Sequence, residues 1–184
     1  MEFTLGVAAP SVAVRASRTT LFAALTAVTL CASASAQANA VTDVNAALLD
    51  AIRSGGTPPP RAARAIAMVD IAVYDAVNAT TGLKYDAYFY SGAKASGVSA
   101  DAAAYVAGYT MLANLFPAQA ASLTAAMNNS VASLHLTPAR QAAATALGAS
   151  IANGYFAARS GDGAATAQTP YVFGTNPGDF QSTN

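Results

Sequence analysis

Apolar residues recur at helical spacing over most of the chain between residues 42 and 159. In the first such segment, Val44, Leu48 and Ile52 follow one another at the i, i+4 interval that puts side chains on one face of an α-helix. Strand-like character is confined to residues 85–90, which are aromatic and show no helical period. The pattern therefore predicts an all-α fold, a helical bundle of about five helices.

Capping and breaking residues set the expected limits of these helices. A Gly-Gly pair ends the first, and Thr57 followed by three prolines suits the start of the second, because the first helical turn needs no backbone donor. Pro117 forces a boundary, since the residue before a proline is pushed out of helical geometry. Residues 83–98 are an excursion over the surface, residues 160–163 stop the last helix, and residues 161–184 form an irregular tail. The predicted helices span residues 42–53, 58–78, 99–116, 118–134 and 138–159.

The N-terminal region has the pattern of a secretory signal. Two arginines precede an apolar run from Leu21 to Leu30, and small residues follow it. A positive region, an apolar core and an Ala-x-Ala site in that order are typical of a cleaved signal peptide. Cleavage fits after Ala36, which makes residues 1–36 the signal, or after Ala40. An uncleaved anchor is the alternative, but the run is shorter than the roughly 20 apolar residues of a membrane span.

Charge and composition narrow the classes of partner. Nine basic side chains balance nine acidic ones, so the chain offers no basic excess for nucleic acid or for an anionic membrane surface. Hydrophobic residues make up 54% and charged residues 10%, which favours association with a helical partner or with copies of the same chain. Cys31 leaves with the signal, so the mature chain has no disulfide. We expect a secreted or periplasmic helical domain over residues 41–160, without a membrane contact once the signal is removed.

The second predicted helix carries the most conspicuous polar groups. It is apolar nearly all round, which is typical of a helix buried among others. Its Asp70 and Asp75 stand out, because a buried carboxylate needs hydrogen bonds or a cation. Arg61 and Arg64 lie earlier on the same helix and would reach them only through a neighbouring element. One interpretation is a buried polar network of these four residues that supports an oxyanion pocket. The simpler interpretation is that the aspartates cap loops or face solvent.

Other candidate groups are isolated along the chain. His135 is the only histidine and lies near a predicted helix end, so we interpret it as structural or exposed. Tyr85, Tyr88 and Tyr90 either pack their loop onto the bundle or form a binding surface. With one histidine and no mature cysteine the chain lacks the ligands of a zinc site, and it has no glycine-rich phosphate loop.

The segment from Leu49 to Asn78 carries a family resemblance. Its sequence, LDAIRSGGTPPPRAARAIAMVDIAVYDAVN, resembles the opening of the secreted bacterial vanadium-dependent haloperoxidases, which are relatives of the PAP2-type phosphatases. A weaker similarity continues to residues 171–174 and 176–180, which resemble the loop leaving the N-terminal half of that family. The resemblance implies a non-catalytic helical half that packs against a catalytic four-helix core and helps shape the entrance of its pocket.

The reaction implied by the resemblance is peroxide-dependent halide oxidation or phosphoester hydrolysis at one oxyanion site. In the family, Pro-Ser-Gly-His, Ser-Arg-x5-His and Lys-x6-Arg-Pro motifs carry it, and none of them occurs in this sequence. We therefore assign no catalytic, cofactor-binding or metal-binding residue, and vanadate is implied only for a complete family member. The chain is expected to be inactive alone, with a catalytic half as its partner. The alternative is a self-sufficient secreted helical module for binding or surface structure.

Overall fold

The computed structural model describes residues 39–166 and 172–181. Over these ranges the chain forms five α-helices and a 3₁₀ turn at Pro117–Gln119, without any strand, which confirms the all-α prediction. Residues 161–166 and 172–181 are irregular, as predicted for the tail. The predicted signal peptide, residues 1–36, lies outside the described residues. The helices are α1 (Ala40–Ser54), α2 (Pro59–Thr80), α3 (Ala100–Leu115), α4 (Ala120–Ser133) and α5 (Pro138–Ala158).

Polar side chains begin three of these helices. The Asn39 side chain accepts the N–H of Val41 at 3.0 Å, which lets α1 begin earlier than its apolar spacing predicts. Ser99 and Thr137 cap α3 and α5, each accepting the N–H of the residue three places on. Helix α2 has no side-chain cap and begins on prolines, which have no N–H to satisfy.

Helix α3 forms the centre of the bundle. It packs against each of the other four helices. Its only charged residue is Asp101, and every residue from 102 to 109 is buried. Four of these eight are alanines, which are small enough for neighbours to approach from all sides. Helices α1 and α2 contribute Val44, Leu48, Met68 and Val69 to the same core.

Two glycines permit the closest approaches between helices. A Cβ at Gly108 on α3 would lie 2.5 Å from Val44 Cγ1, and one at Gly148 on α5 would lie 2.7 Å from the carbonyl oxygen of Ala103. Both distances are shorter than any ordinary contact between heavy atoms, so a larger residue would push the helices apart. The contact of Gly148 is to backbone, which cannot rotate away as a side chain can.

The structure corrects the prediction that the second helix is buried on all sides. Helix α2 keeps one face in solvent, where Ile66, Asp70 and Tyr74 are exposed. The helix enclosed on all sides is α3, over residues 102–109, and its alanines attract little notice in a sequence. Apolar periodicity counts hydrophobic side chains, but the number of neighbours a helix accepts also depends on how small its side chains are.

Candidate functional site

Asp75, in the last two turns of α2, is the most completely buried polar side chain among the described residues. One of its carboxylate oxygens accepts the backbone N–H of Tyr88 at 2.8 Å. The other accepts the N–H groups of Phe89 at 2.7 Å and Tyr90 at 2.8 Å. Three backbone donors satisfy both oxygens of this buried side chain. Asp75 therefore anchors the aromatic loop, residues 81–99, to α2.

Two further side chains of α2 hold the same loop. The amide of Asn78 donates to the carbonyl of Tyr85 at 2.8 Å and accepts the N–H of Tyr85 at 3.1 Å. The hydroxyl of Tyr74 donates to the carbonyl of Asp86 at 2.8 Å. These bonds explain why residues 85–90 form no strand despite their aromatic character. Six of their backbone groups, on five of the six residues, are bonded to side chains of one helix.

The rings of the aromatic loop divide between core and surface. Tyr88 meets Tyr155 of α5 edge-on with ring centroids 6.0 Å apart, and Phe89 lies 5.3 Å from the same ring. Burial raises the pKa of the Tyr155 phenol, and Tyr88 adds to the rise. Tyr90 packs against the core, whereas Tyr85 and Tyr88 are 61% and 66% exposed. The loop is thus packed onto the bundle and also presents two phenol rings to solvent.

An arginine-lined cleft of about 460 Å³ lies where the start of α2 meets the ends of α3 and α5. Its charged lining consists of Arg61, Arg64, Arg159 and Asp162, and we call it the arginine cleft. Arg64 donates through Nε to Asp162 at 2.8 Å and through Nη2 to the carbonyl of Arg159 at 3.0 Å. Nη2 of Arg159 forms an ion pair with the same oxygen of Asp162, at 3.1 Å. Among the described residues none pairs with Arg61, which is exposed.

A second cleft of about 480 Å³ borders the same ion-pair cluster. It shares Arg64, Arg159 and Asp162 with the arginine cleft and adds Tyr88 and Tyr155 to the lining. The hydrogen bond from Arg64 holds the pKa of Asp162 below its ordinary value of 3.8, and a backbone N–H adds to this effect. Asp162 is therefore ionised at neutral pH, and it neutralises one of the guanidinium charges beside it.

The structure does not join Arg61, Arg64, Asp70 and Asp75 into one buried network. Asp75 is fully buried, Arg64 is partly buried, and Arg61 and Asp70 are exposed. The two arginines meet at the arginine cleft, while Asp75 holds the aromatic loop. The geometry agrees with the simpler interpretation, because five residues rotate a helix by about 140° and turn the two aspartates to different sides.

The exposed face of α2 borders an apolar groove of about 700 Å³. Val41 of α1 and Val73 and Val77 of α2 supply its apolar lining, and Asp70 lies at its edge. Partial burial raises the pKa of Asp70, and a hydrogen bond with the side chain of Asn45 opposes that rise. The groove offers apolar contact area and little hydrogen bonding.

Two members of the arginine cleft escape sequence reasoning. Arg159 and Asp162 fall in the stretch that the sequence assigns only to the end of the last helix. Their i, i+3 spacing is a signal that indicates an ion pair at a helix end. Their shared partner, Arg64, lies 98 positions before Asp162, and no local pattern links the two.

The described residues offer little for metal or acid–base chemistry. They contain no group of three or more His, Cys, Asp or Glu side chains placed to hold a metal ion. His135 lies exposed in the turn after α4, with a φ of 48°. Among the same residues, the helices are too short or too polar for any of them to cross a membrane.

Comparison with protein-family models, with curated proteins and with solved structures finds no match to this chain.

Proposed function

We propose that this chain is the non-catalytic helical part of an exported enzyme similar to the vanadium-dependent haloperoxidases and PAP2-type phosphatases. Its role is to support a catalytic part that carries the histidine motifs. Vanadate or phosphate chemistry belongs to that catalytic part. The basis for this assignment is the family resemblance of residues 49–78.

This role is supported by the structural task of the segment that carries the resemblance: its buried polar side chains hold the aromatic loop. Residues 59–78 lie in α2. The polar side chains at the end of that segment, Asp75 and Asn78, form hydrogen bonds to the backbone of the aromatic loop. Side chains engaged in this way position backbone and are not free to transfer protons. A scaffold function accounts for a segment that is distinctive in sequence and whose two buried polar side chains both hold a loop.

The apolar groove is the surface on which we expect the catalytic part to pack. It lies along α1 and α2, beside the exposed rings of Tyr74 and Tyr85. Apolar area left in water forgoes roughly 25 cal/mol per Å², so a covering element gains free energy there. Aromatic rings at a surface are also common anchors in protein interfaces.

A self-sufficient exported binding module is the second candidate. The observation in its favour is that no buried side-chain nitrogen or oxygen among the described residues lacks a hydrogen-bond partner. A bundle whose polar groups are satisfied in this way needs no partner to complete its core.

The native gene product separates the two candidates. We would recover it from the producing cells with antibodies to α4 and α5, and sequence the recovered polypeptides by mass spectrometry. The proposal expects Pro-Ser-Gly-His and Ser-Arg-x5-His peptides, either in the same polypeptide or in a partner crosslinked through the apolar groove. Recovery of this chain alone, monomeric and without those peptides, refutes the proposal and supports the binding module.

Activity gives an independent test. The purified chain supplied with vanadate, peroxide and bromide, or with a phosphomonoester, should show no turnover, because both reactions in the family need a histidine in a basic pocket. Turnover that disappears in His135→Ala would contradict the non-catalytic assignment.

A further inference from the structure

We propose that the arginine cleft binds a phosphate monoester whose organic group is apolar. The inference is independent of the proposed function, since it depends only on side chains at the junction of α2, α3 and α5. Neither the fold nor the ion pair of Arg64 and Asp162 explains why a third arginine, Arg61, borders the same cavity.

Two helices bring the three arginines to the cleft. Arg61 and Arg64 are three residues apart on α2, so they lie on one side of that helix. Arg159 follows the last turn of α5, and the carbonyl of that residue receives a hydrogen bond from Arg64. The bonds of Arg64 use its Nε and Nη2 and leave Nη1 for a ligand. The cleft is therefore partly preorganised.

The charge of the cleft selects an anion with two negative charges. Three guanidinium groups and the single carboxylate of Asp162 leave a formal charge of +2 among the described lining residues. The amino end of α2 and the carboxyl ends of α3 and α5 all border the cleft, so their helix dipoles oppose one another. The side chains therefore decide the sign. Arginine forks match the oxygen geometry of phosphate and carboxylate groups.

The start of α2 contributes only a little hydrogen bonding to such an anion. Pro58, Pro59 and Pro60 have no N–H, and the N–H of Ala62 is bonded to the carbonyl of Pro58. Within this turn only the N–H of Arg61 is left for a ligand. Recognition must come from the guanidinium groups, which makes the cleft sensitive to arginine substitution.

The apolar residues that line the cleft, which we call its apolar wall, indicate the organic part of the ligand. They are Leu115, Phe116 and Phe156, together with Pro58. Inorganic phosphate alone would leave this wall unused in a cavity of about 460 Å³. A ligand with one ring beside its phosphate fills both parts, because apolar area and ionic contact then act on one molecule.

Titration of the full chain with phenyl phosphate at neutral pH tests the site. We expect calorimetry to give tighter binding for phenyl phosphate than for inorganic phosphate or benzoate, with an affinity that weakens as sodium chloride is added. Arg61→Gln should weaken binding about tenfold or more, the usual cost of a lost hydrogen bond to a charged group. It should leave the melting temperature unchanged, because Arg61 is exposed and unpaired among the described residues.

The matched control is Arg140→Gln. Arg140 is an exposed arginine near the start of α5, almost the whole helix away from Arg159, so its substitution changes net charge equally but should leave binding intact. Equal weakening by Arg61→Gln and Arg140→Gln overturns the proposal, since it would show attraction by net charge alone. Failure of phenyl phosphate to bind at millimolar concentration, or binding no tighter than that of benzoate, also overturns it.

Discussion

Replacement of Asp75 by asparagine tests the anchor of the aromatic loop. The carboxylate accepts three backbone N–H groups through two oxygens. Asparagine keeps one of these oxygens and puts an NH₂ group in place of the other, where it faces a donor. At least one hydrogen bond is lost and one buried N–H loses its acceptor. Hydrogen bonds to charged groups contribute about 1.5–3 kcal/mol each, so we expect unfolding to become easier by about 3 kcal/mol.

The measurement is urea and thermal unfolding followed by circular dichroism. In a chain of this size a loss of about 3 kcal/mol lowers the melting temperature by about 10 °C. Hydrogen exchange should also accelerate at the amides of Tyr88, Phe89 and Tyr90 before it does elsewhere, because Asp75 is the acceptor for all three.

Asp70→Asn is the control, since it makes the same chemical change on the same helix. Asp70 lies on the exposed face of α2, and partial desolvation of its carboxyl group raises its pKa, so loss of its charge should cost nothing or stabilise slightly. If the two variants differ in stability by less than about 0.5 kcal/mol, the range of ordinary surface substitutions, the anchor is not what holds the loop.

Three further predictions concern packing, pH and processing. Gly148→Ala should cost about 1–3 kcal/mol in urea unfolding by overpacking α5 against the α3 backbone. Gly154→Ala on the same helix should cost little, because its Cβ meets only the ring of Phe89 at 3.3 Å, and equal losses would refute this reasoning. The pKa of Asp162 is lower in the folded chain than its ordinary value of 3.8. Its contacts with the arginines therefore stabilise the fold fully above pH 3.8, and this stabilisation is lost as the pH falls through the lower folded pKa. Asp162→Asn should remove this contribution to the acid dependence of the melting temperature. We predict export with cleavage after Ala36 or after Ala40, and intact mass decides between a start at Gln37 and a start at Val41, which would lack the Asn39 cap of α1; a product that retains residues 21–30 would refute export by a cleaved signal.

The helices were predictable because their signals are local. Apolar spacing, the caps at Ser99 and Thr137 and the break at Pro117 each act within a few residues, and the structure places helix limits close to them. The central position of α3 was not predictable in this way. It depends on which helix lets four others approach, and therefore on glycine and alanine at the contact points, such as Gly108 against Val44.

The candidate site was predictable only in part, for the same reason. Asp75 could be identified as an unusual buried group, but the backbone N–H donors that it binds lie 13 to 15 residues on, in a loop without a motif. Arg61 and Arg64 could be noticed on one helix. Arg159 and Asp162 join them only through the packing of α5 on α2, which no spacing along the chain records.

Because α3 is enclosed by the other helices, hydrogen exchange at its backbone amides should report the stability of the whole bundle. The amides inside this helix have no solvent-facing side from which the bundle can open piece by piece. They should exchange with deuterium only when all four surrounding helices separate, whereas α4, which buries just Leu123 and Val131, can detach at lower free energy. The slowest amides of residues 102–112 therefore report the global free energy of unfolding in the absence of denaturant. A ligand that binds only the folded chain should slow the exchange of these amides by a factor of 1 + L/Kd, where L is the free ligand concentration and Kd its dissociation constant.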